Sequence, residues 1–130
     1  MTATLDTKIQ YRSSGEEAVA RALDQLKLPY EYEPDLYLRD GDKRYIWHPD
    51  FYLPRYQTII EYFGIEHDPC YDQMTKRKKR IYAANAYHLI PVYPATLRTN
   101  YHAYIAKSIR GGLASRLEDF DNRTGYHRKP

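Results

Sequence analysis

Apolar residues recur with helical spacing in some parts of the chain and with strand-like alternation in others. A three-to-four-residue spacing over residues 13–26 predicts a helix, and Pro29 ends it. Ser13 followed by Glu16 matches a capping box at its start. Alternation then predicts three successive strands. They cover residues 30–38 with an interruption at Pro34, residues 44–53 with an interruption at Pro49, and residues 56–63. A hairpin turn at Asp40-Gly41-Asp42 joins the first two.

The second half of the chain returns to helical spacing. Residues 71–86 predict a second helix, and residues 87–93 predict a fourth strand. Because a helix precedes it, that strand is expected to pair in parallel with an earlier one. A third helix opens at Thr96 or Thr99 and is expected to break or end at Gly111-Gly112. The order predicts an α/β protein with a mixed sheet flanked by helices.

Composition adds bounds on size and environment. The 130 residues, 42% of them hydrophobic, suit one domain with a packed core. We expect an arm over residues 1–12, one domain over residues 13–118 and a flexible basic tail over residues 119–130. The chain has no apolar run of membrane-spanning length, no signal-peptide pattern at its start, and Cys70 as its single cysteine. These features predict a soluble, cytoplasmic protein in a reducing compartment.

Charge is nearly balanced overall but clustered locally. The net charge is only +3, yet residues 76–80 form an unbroken basic run. Such a run on a helix suits non-specific contact with a DNA backbone, through Lys76, Lys79 and Arg80. Arg12 and Ser13, at the first helix N-terminus, are further candidates for binding phosphate. A solvated helical face without a ligand remains the alternative for the basic run.

Two ionisable residues fall on the apolar faces of helices. Glu16 projects onto the stripe of Val19 and Ala20, whereas Glu17 projects sideways. Lys78 interrupts the inward stripe of the second helix, which we assign to Tyr71, Met74, Ile81 and Tyr82. The alternatives are that Glu16 only caps its helix and that the Lys78 side chain extends to solvent.

Two carboxylates border the short turn that follows Pro54. Asp50 precedes an apolar strand segment, and Glu61 lies inside the hydrophobic run of residues 58–63. Antiparallel pairing across the turn is expected to bring the two together, where they repel each other. A hard divalent cation such as Mg²⁺, for which Mn²⁺ can substitute, would relieve that repulsion. A structural ion pair between Glu61 and a lysine or arginine is the alternative.

Three segments in succession carry a resemblance to the PD-(D/E)XK nuclease superfamily: Tyr30-Glu31-Tyr32-Glu33, His48-Pro49-Asp50-Phe51-Tyr52-Leu53 and Ile60-Glu61-Tyr62-Phe63-Gly64. The resemblance covers about residues 11–97 and implies a restriction-endonuclease-like fold with an αβββαβ core. The chain is similar to nuclease domains attached to some helicases and to small Holliday junction resolvases. The lysine that such proteins place two residues after the second acid is replaced by Phe63. The spacing of Tyr71, Lys78 and Tyr82 instead resembles members whose lysine has moved to the next helix.

The resemblance implies a site for phosphodiester hydrolysis. Asp50 and Glu61 would hold Mg²⁺, the Tyr62 carbonyl would be a further ligand, and Glu16 would act at the metal, either beside it or through its other ligands. Lys78 would act on the attacking water or neutralise the phosphate. We expect Glu33, on the first strand, to lie at the surface. The alternative is that it is a further acid that supports the metal ligands.

We therefore expect a divalent-metal-dependent DNA endonuclease. Since the chain shows no separate recognition domain, selection of branched DNA by shape is expected, as in resolvases that act as homodimers. The third helix and the tyrosines near it are candidates for the dimer interface. The alternatives are a mismatch-nicking, transposition or homing endonuclease of the same superfamily, or a catalytically silent DNA-binding module.

Overall fold

The structure, a computed structural model, describes residues 9–65 and 68–124, and of residues 116 and 119–124 it describes the backbone only. Residues 1–8 of the expected arm and 125–130 of the expected tail lie outside that range. The elements in chain order are α1 (Ser14–Gln25), β1 (Glu31–Tyr32), β2 (Leu36–Asp40), β3 (Lys43–Trp47), β4 (Phe51–Leu53), β5 (Thr58–Tyr62), α2 (Pro69–Ala84), β6 (His88–Val92) and α3 (Tyr101–Thr124), with short 3-10 helices at Pro54–Tyr56 and Thr96–Arg98.

The main sheet has four strands in the order β1-β4-β5-β6. β4 is antiparallel to both β1 and β5, whereas β6 runs parallel to β5 after the α2 crossover. The predicted parallel pairing of the strand after the second helix is therefore confirmed. The chain is a mixed α/β protein.

The strand interruptions at Pro34 and Pro49 have a larger effect than the sequence pattern indicated. Each predicted strand divides at its proline, and β2 pairs with β3 in a separate two-stranded sheet. Glu33, just before the first break, has a positive φ of 49°, so the backbone turns sharply there. The predicted turn after Asp40 is confirmed, because β2 ends at Asp40 and β3 begins at Lys43. The hairpin thus leaves the main sheet and packs against α2.

Alternate residues of β5 divide the core into two layers. Ile60 faces the layer built with α1 and α3, which includes Val19, Leu23 and Ile105. Ile59 faces the opposite layer, in which α2 and the hairpin supply their apolar side chains, among them Leu36, Leu38, Ile81 and Tyr82. The period-two geometry of a strand produces this division. Glu61 consequently points to the same face as Ile59, toward α2.

The third helix does not end at the paired glycines. α3 continues from Tyr101 to Thr124, so the predicted end at Gly111-Gly112 is wrong, and the helix extends past the expected domain boundary after residue 118. Packing explains this, because Gly112 is buried where a Cβ would overlap the His88 ring. The apolar stripe that includes Ile105 and Ile109 is buried in the core, and the dimer interface expected at this helix and the tyrosines near it stays a prediction. Within residues 9–65 and 68–124, no helix is both long and apolar enough to cross a membrane.

Candidate active site

Asp50 and Glu61 are neighbours across two strands. Phe51 pairs with Ile60 in the antiparallel register of β4 and β5. Asp50 precedes Phe51 and Glu61 follows Ile60, so the two acids come next to each other at the same end of this pairing. The Asp50 Oδ2 atom accepts a 2.7 Å hydrogen bond from the main-chain N–H of Tyr62. Glu61 is only 2% exposed. The predicted meeting of the two acids across the turn is confirmed.

The proximity of these acids changes the protonation of Asp50. Burial and then repulsion from Glu61 raise the pKa of Asp50 to about 7, and Glu16 adds to this repulsion. The Tyr62 N–H and the Lys78 ammonium act in the opposite direction. Asp50 is therefore a carboxylate whose ionised form is unfavourable in this environment and would be favoured by a nearby cation.

Glu61 contacts two side chains of α2. Its Oε2 atom accepts a 2.6 Å hydrogen bond from the Tyr82 hydroxyl and lies 3.5 Å from Lys78 Nζ. Burial, followed by the Glu61 charge, raises the pKa of Tyr82 and keeps that hydroxyl protonated as a donor. The Lys78 side chain is about one-third exposed and reaches Glu61 past the ring of Phe63. The predicted inward position of Lys78 is confirmed, and so is the ion pair offered as the structural alternative for Glu61.

The remaining positions of the predicted α2 stripe are mixed. Ile81 and Tyr82 are buried as expected, but Met74 is 45% exposed and Thr75 is buried in its place. Tyr71 is partly buried, and its pKa is raised by burial and then by Asp50 and Glu61. Its phenol is therefore close enough to the acids to sense their charge.

Glu16 does more than cap α1. Ser13 Oγ accepts a 3.1 Å hydrogen bond from the Glu16 N–H, which is the expected N-cap. The Glu16 carboxylate, however, accepts a hydrogen bond from the Tyr32 hydroxyl instead of reaching back to Ser13. Glu16 is buried and Glu17 is exposed, as the helical projection predicted. Since its charge also acts on Asp50, Glu16 belongs to the same electrostatic cluster.

The basic candidates are in different surroundings. Lys79 Nζ donates a 3.2 Å hydrogen bond to the Tyr93 hydroxyl, and Lys76 is exposed. Arg80 is paired with Asp40 at 3.2 Å and holds the pKa of that carboxyl below its usual value. These three side chains of α2 thus do not form one uniform cationic surface.

Arg12 is held at the edge of the site by an acid. Its Nε atom lies 3.1 Å from a carboxylate oxygen of Glu33, and the Arg12 N–H donates to the Tyr32 hydroxyl. Glu33 is therefore paired with an exposed arginine, and its own side chain is 25% exposed.

A groove of about 580 Å³ opens beside Glu61 and Lys78. It runs between β3 and α2, and its lining also includes Arg12, Trp47 and Arg77. Two contributors were missed by the sequence reading: Tyr32 as the donor to Glu16, and the Trp47–Arg77 pair. Trp47 is the only tryptophan in the chain and Arg77 lies in the basic run, so both residues stand out in the sequence. No spacing or pattern in the sequence, however, indicates that they lie near the acids.

The acids suit a hard cation of the Mg²⁺ type. Magnesium is commonly held by one or two carboxylates and keeps several waters, and Asp50 and Glu61 supply such a pair. In residues 9–65 and 68–124 there is no group of three or more histidine, cysteine, aspartate or glutamate residues placed to hold a metal ion. Glu16 and the Tyr62 carbonyl stay predictions as further ligands.

Comparisons with known proteins add no assignment: no protein-family model, no curated protein and no solved structure matches the chain. What the site does is therefore inferred from its own residues.

Proposed function

We propose that the protein is a divalent-metal-dependent DNA endonuclease that hydrolyses phosphodiester bonds at the Asp50–Glu61 pair. The observation that carries the proposal is the joint placement of two repelling carboxylates on adjacent strands, with Lys78 3.5 Å from Glu61. Two neighbouring acids and a lysine, of which Glu61 and Lys78 line a groove, are a suitable set for phosphodiester hydrolysis.

Each residue has a role in this chemistry. Asp50 and Glu61 would hold Mg²⁺ or Mn²⁺, which supplies charge neutralisation at the phosphate and a more acidic water. Glu16 adds negative charge beside Asp50 and so favours a bound cation. Tyr82 fixes the orientation of the Glu61 carboxylate through its hydrogen bond. Lys78 would orient or deprotonate the attacking water, or neutralise the phosphate.

The proposal includes membership in the PD-(D/E)XK superfamily. It is supported by the helix followed by antiparallel strands and a parallel crossover strand, in the order expected of that core. The lysine on α2 in place of Phe63 is also consistent with the displaced-lysine members. As in the small junction resolvases, branched DNA is the proposed substrate and a homodimer the proposed assembly.

A catalytically silent DNA-binding module is the second candidate. The ion pair between Glu61 and Lys78 favours it, because a paired glutamate does not need a cation for charge balance. In that case the same residues would stabilise the fold and the groove would bind DNA without cutting it.

One experiment separates the two candidates. The protein is incubated with labelled four-way junction, flap and duplex DNA in Mg²⁺, Mn²⁺ or EDTA, and products are resolved on denaturing gels. We expect cleavage in either metal and none in EDTA, with the junction cut in preference to the duplex. Cleavage of none of these substrates would leave the silent module as the function.

Matched variants test the assignment of the site. Asp50→Asn and Glu61→Gln are expected to abolish cutting while DNA binding is retained, because the groove and its cations are unchanged. Asp42→Asn, at an exposed carboxylate in the β2–β3 turn, is the control and should cut normally. Normal cutting by either site variant would show that the acids are misassigned.

A further inference from the structure

The groove has a second wall that the hydrolytic chemistry does not use. On β3, Trp47 lines the groove and is partly buried, as is Tyr45 beside it, and α2 places Arg77 against both rings. The guanidinium carbon of Arg77 lies 5.2 Å from the centroid of the Tyr45 ring and 5.3 Å from that of Trp47. Cation–π contacts of this kind hold the guanidinium in position over the rings.

Arg77 is held mainly by rings, although its charge also acts on Asp40. Among the described residues no acid forms an ion pair with Arg77, whereas Arg80, one turn along the helix, is paired with Asp40. A guanidinium held by rings and not by a carboxylate can stack on a planar ligand and attract an anion with the same group.

The aromatic wall is connected to the acids by direct contact. The Trp47 ring lies edge-to-face on Tyr82 at 5.5 Å, and Tyr82 donates its hydroxyl to Glu61. Two apolar side chains of the groove, Ile46 and Met74, are 55% and 45% exposed. Exposed apolar surface beside cations matches the two parts of a nucleotide, a planar base and a phosphate.

We infer that this groove receives a single unpaired nucleotide of the DNA substrate, with the base against Trp47 and Arg77 and its phosphate toward Lys78. The inference rests on the proposed nuclease function and specifies its substrate class. A groove of about 580 Å³ has the size of a small-molecule site and is large enough for one nucleotide. Proteins bind unpaired bases by stacking them on aromatic rings and on arginine. The substrate is therefore DNA with an unpaired nucleotide beside the cleaved bond, as at a flap or an opened branch point.

The single tryptophan of the chain makes the groove directly observable. Trp47 fluorescence of the Asp50→Asn variant, which we expect not to cut, is followed during titration with a single-stranded oligonucleotide and with a blunt duplex of equal length. We expect quenching by the single strand, with affinity about tenfold higher than for the duplex. This readout needs no substitution in the groove, so it does not depend on how a groove variant folds.

Variants in the same background test the stacking contact by anisotropy of a labelled single strand. Trp47→Ala is expected to weaken binding about tenfold, and Trp47→Phe to retain most of the affinity, since every aromatic face can stack. Tyr37→Ala is the matched control, because Tyr37 lies on the same hairpin, is 73% exposed and does not line the groove. Equal binding by the Trp47→Ala and Tyr37→Ala variants would overturn the inference.

Parallel cleavage assays on the wild-type chain distinguish this inference from the function on which it rests. Metal-dependent cleavage without quenching by single strands would overturn the nucleotide site and leave the nuclease. Selective quenching without cleavage of any DNA would overturn the nuclease and leave a groove that binds unpaired nucleotides.

Discussion

Lys78 of α2 lies 3.5 Å from the carboxylate of Glu61, a residue of β5 that is almost fully buried. The cation beside this acid thus comes from a helix and not from the strand that carries Glu61. The Lys78 Nζ atom also lies 5.9 Å from the ring centroid of Phe63, the residue two positions after Glu61.

The first prediction concerns this lysine. Lys78→Ala is expected to lower the cleavage rate by about 100-fold or more, because a group that transfers a proton or neutralises the phosphate is lost. Lys79→Ala, which removes a neighbouring exposed cation near Tyr93, should have a much smaller effect. Single-turnover rates with saturating enzyme provide the comparison. Equal losses of cleavage rate in the two variants would show that Lys78 only contacts phosphate, as Lys79 would.

Asp50 makes stability depend on pH in a defined window. The pKa of Asp50 is about 7 in the folded state against an ordinary 3.8, so between these pH values the folded state holds a proton that the unfolded state has released. The contribution of Asp50 to stability is therefore greatest below about pH 4 and declines as pH rises toward 7. Asp50→Asn removes the buried charge and keeps an acceptor for the Tyr62 N–H, so it should gain stability relative to wild type across that window. The gain at pH 8 is on the order of 2–4 kcal/mol at most.

Thermal unfolding of both proteins at several pH values measures this gain. Addition of Mg²⁺ at pH 8 should raise the Tm of wild type but not of the Asn variant, since the cation binds only the ionised pair. A pH-independent difference between the two proteins would contradict the raised pKa of Asp50.

Tyr82 is expected to stabilise the site through its hydroxyl. Tyr82→Phe removes the 2.6 Å hydrogen bond to Glu61 and leaves that buried carboxylate with Lys78. The expected cost is about 1–3 kcal/mol in the free energy of unfolding, as for hydrogen bonds to charged groups. Urea unfolding measures it, with Tyr37→Phe at a 73% exposed position as the control. Equal stabilities of the two variants would show that the Tyr82 hydroxyl contributes nothing.

The continuous α3 helix predicts opposite effects at its two adjacent glycines. A Cβ at Gly111 meets nothing within 4 Å, so Gly111→Ala should stabilise the protein by about 0.5–1 kcal/mol through helix propensity. Gly112→Ala would place its methyl group in the His88 ring and should destabilise the protein. Differential scanning calorimetry of both variants checks the signs. Stabilisation by both substitutions would mean that α3 does not pack on β6 at this point.

Glu16 and Glu17 form a matched pair for the last prediction. Glu16→Gln removes a buried charge beside Asp50 and should reduce cleavage about tenfold or more at limiting Mg²⁺, with partial recovery at high Mg²⁺. Glu17→Gln should cut like wild type because its side chain is exposed. Cleavage rates across a Mg²⁺ titration measure the difference. An equal, Mg²⁺-independent loss in both variants would assign Glu16 to helix capping alone.

Much of this arrangement was determined by local sequence. Helical spacing placed Glu16 on the buried face of α1, and the short turn after Pro54 brought Asp50 beside Glu61. The crossover through α2 implied the parallel pairing of β5 and β6. These predictions succeeded because each depends on spacing, turn length or chain connection over a few residues, where backbone geometry leaves few alternatives.

Only the tertiary structure decided which partners the functional side chains contact. Tyr82 reaches Glu61 across 21 positions of sequence and Tyr32 reaches Glu16 across 16, and no local pattern specifies such contacts. The separation of the hairpin from the main sheet brought Trp47 over α2. Gly112 packs on His88, and α3 continues past the glycine pair, where local propensity predicts that the helix breaks. Local preferences are worth about 1 kcal/mol per residue, so burial and steric fit between distant elements override them.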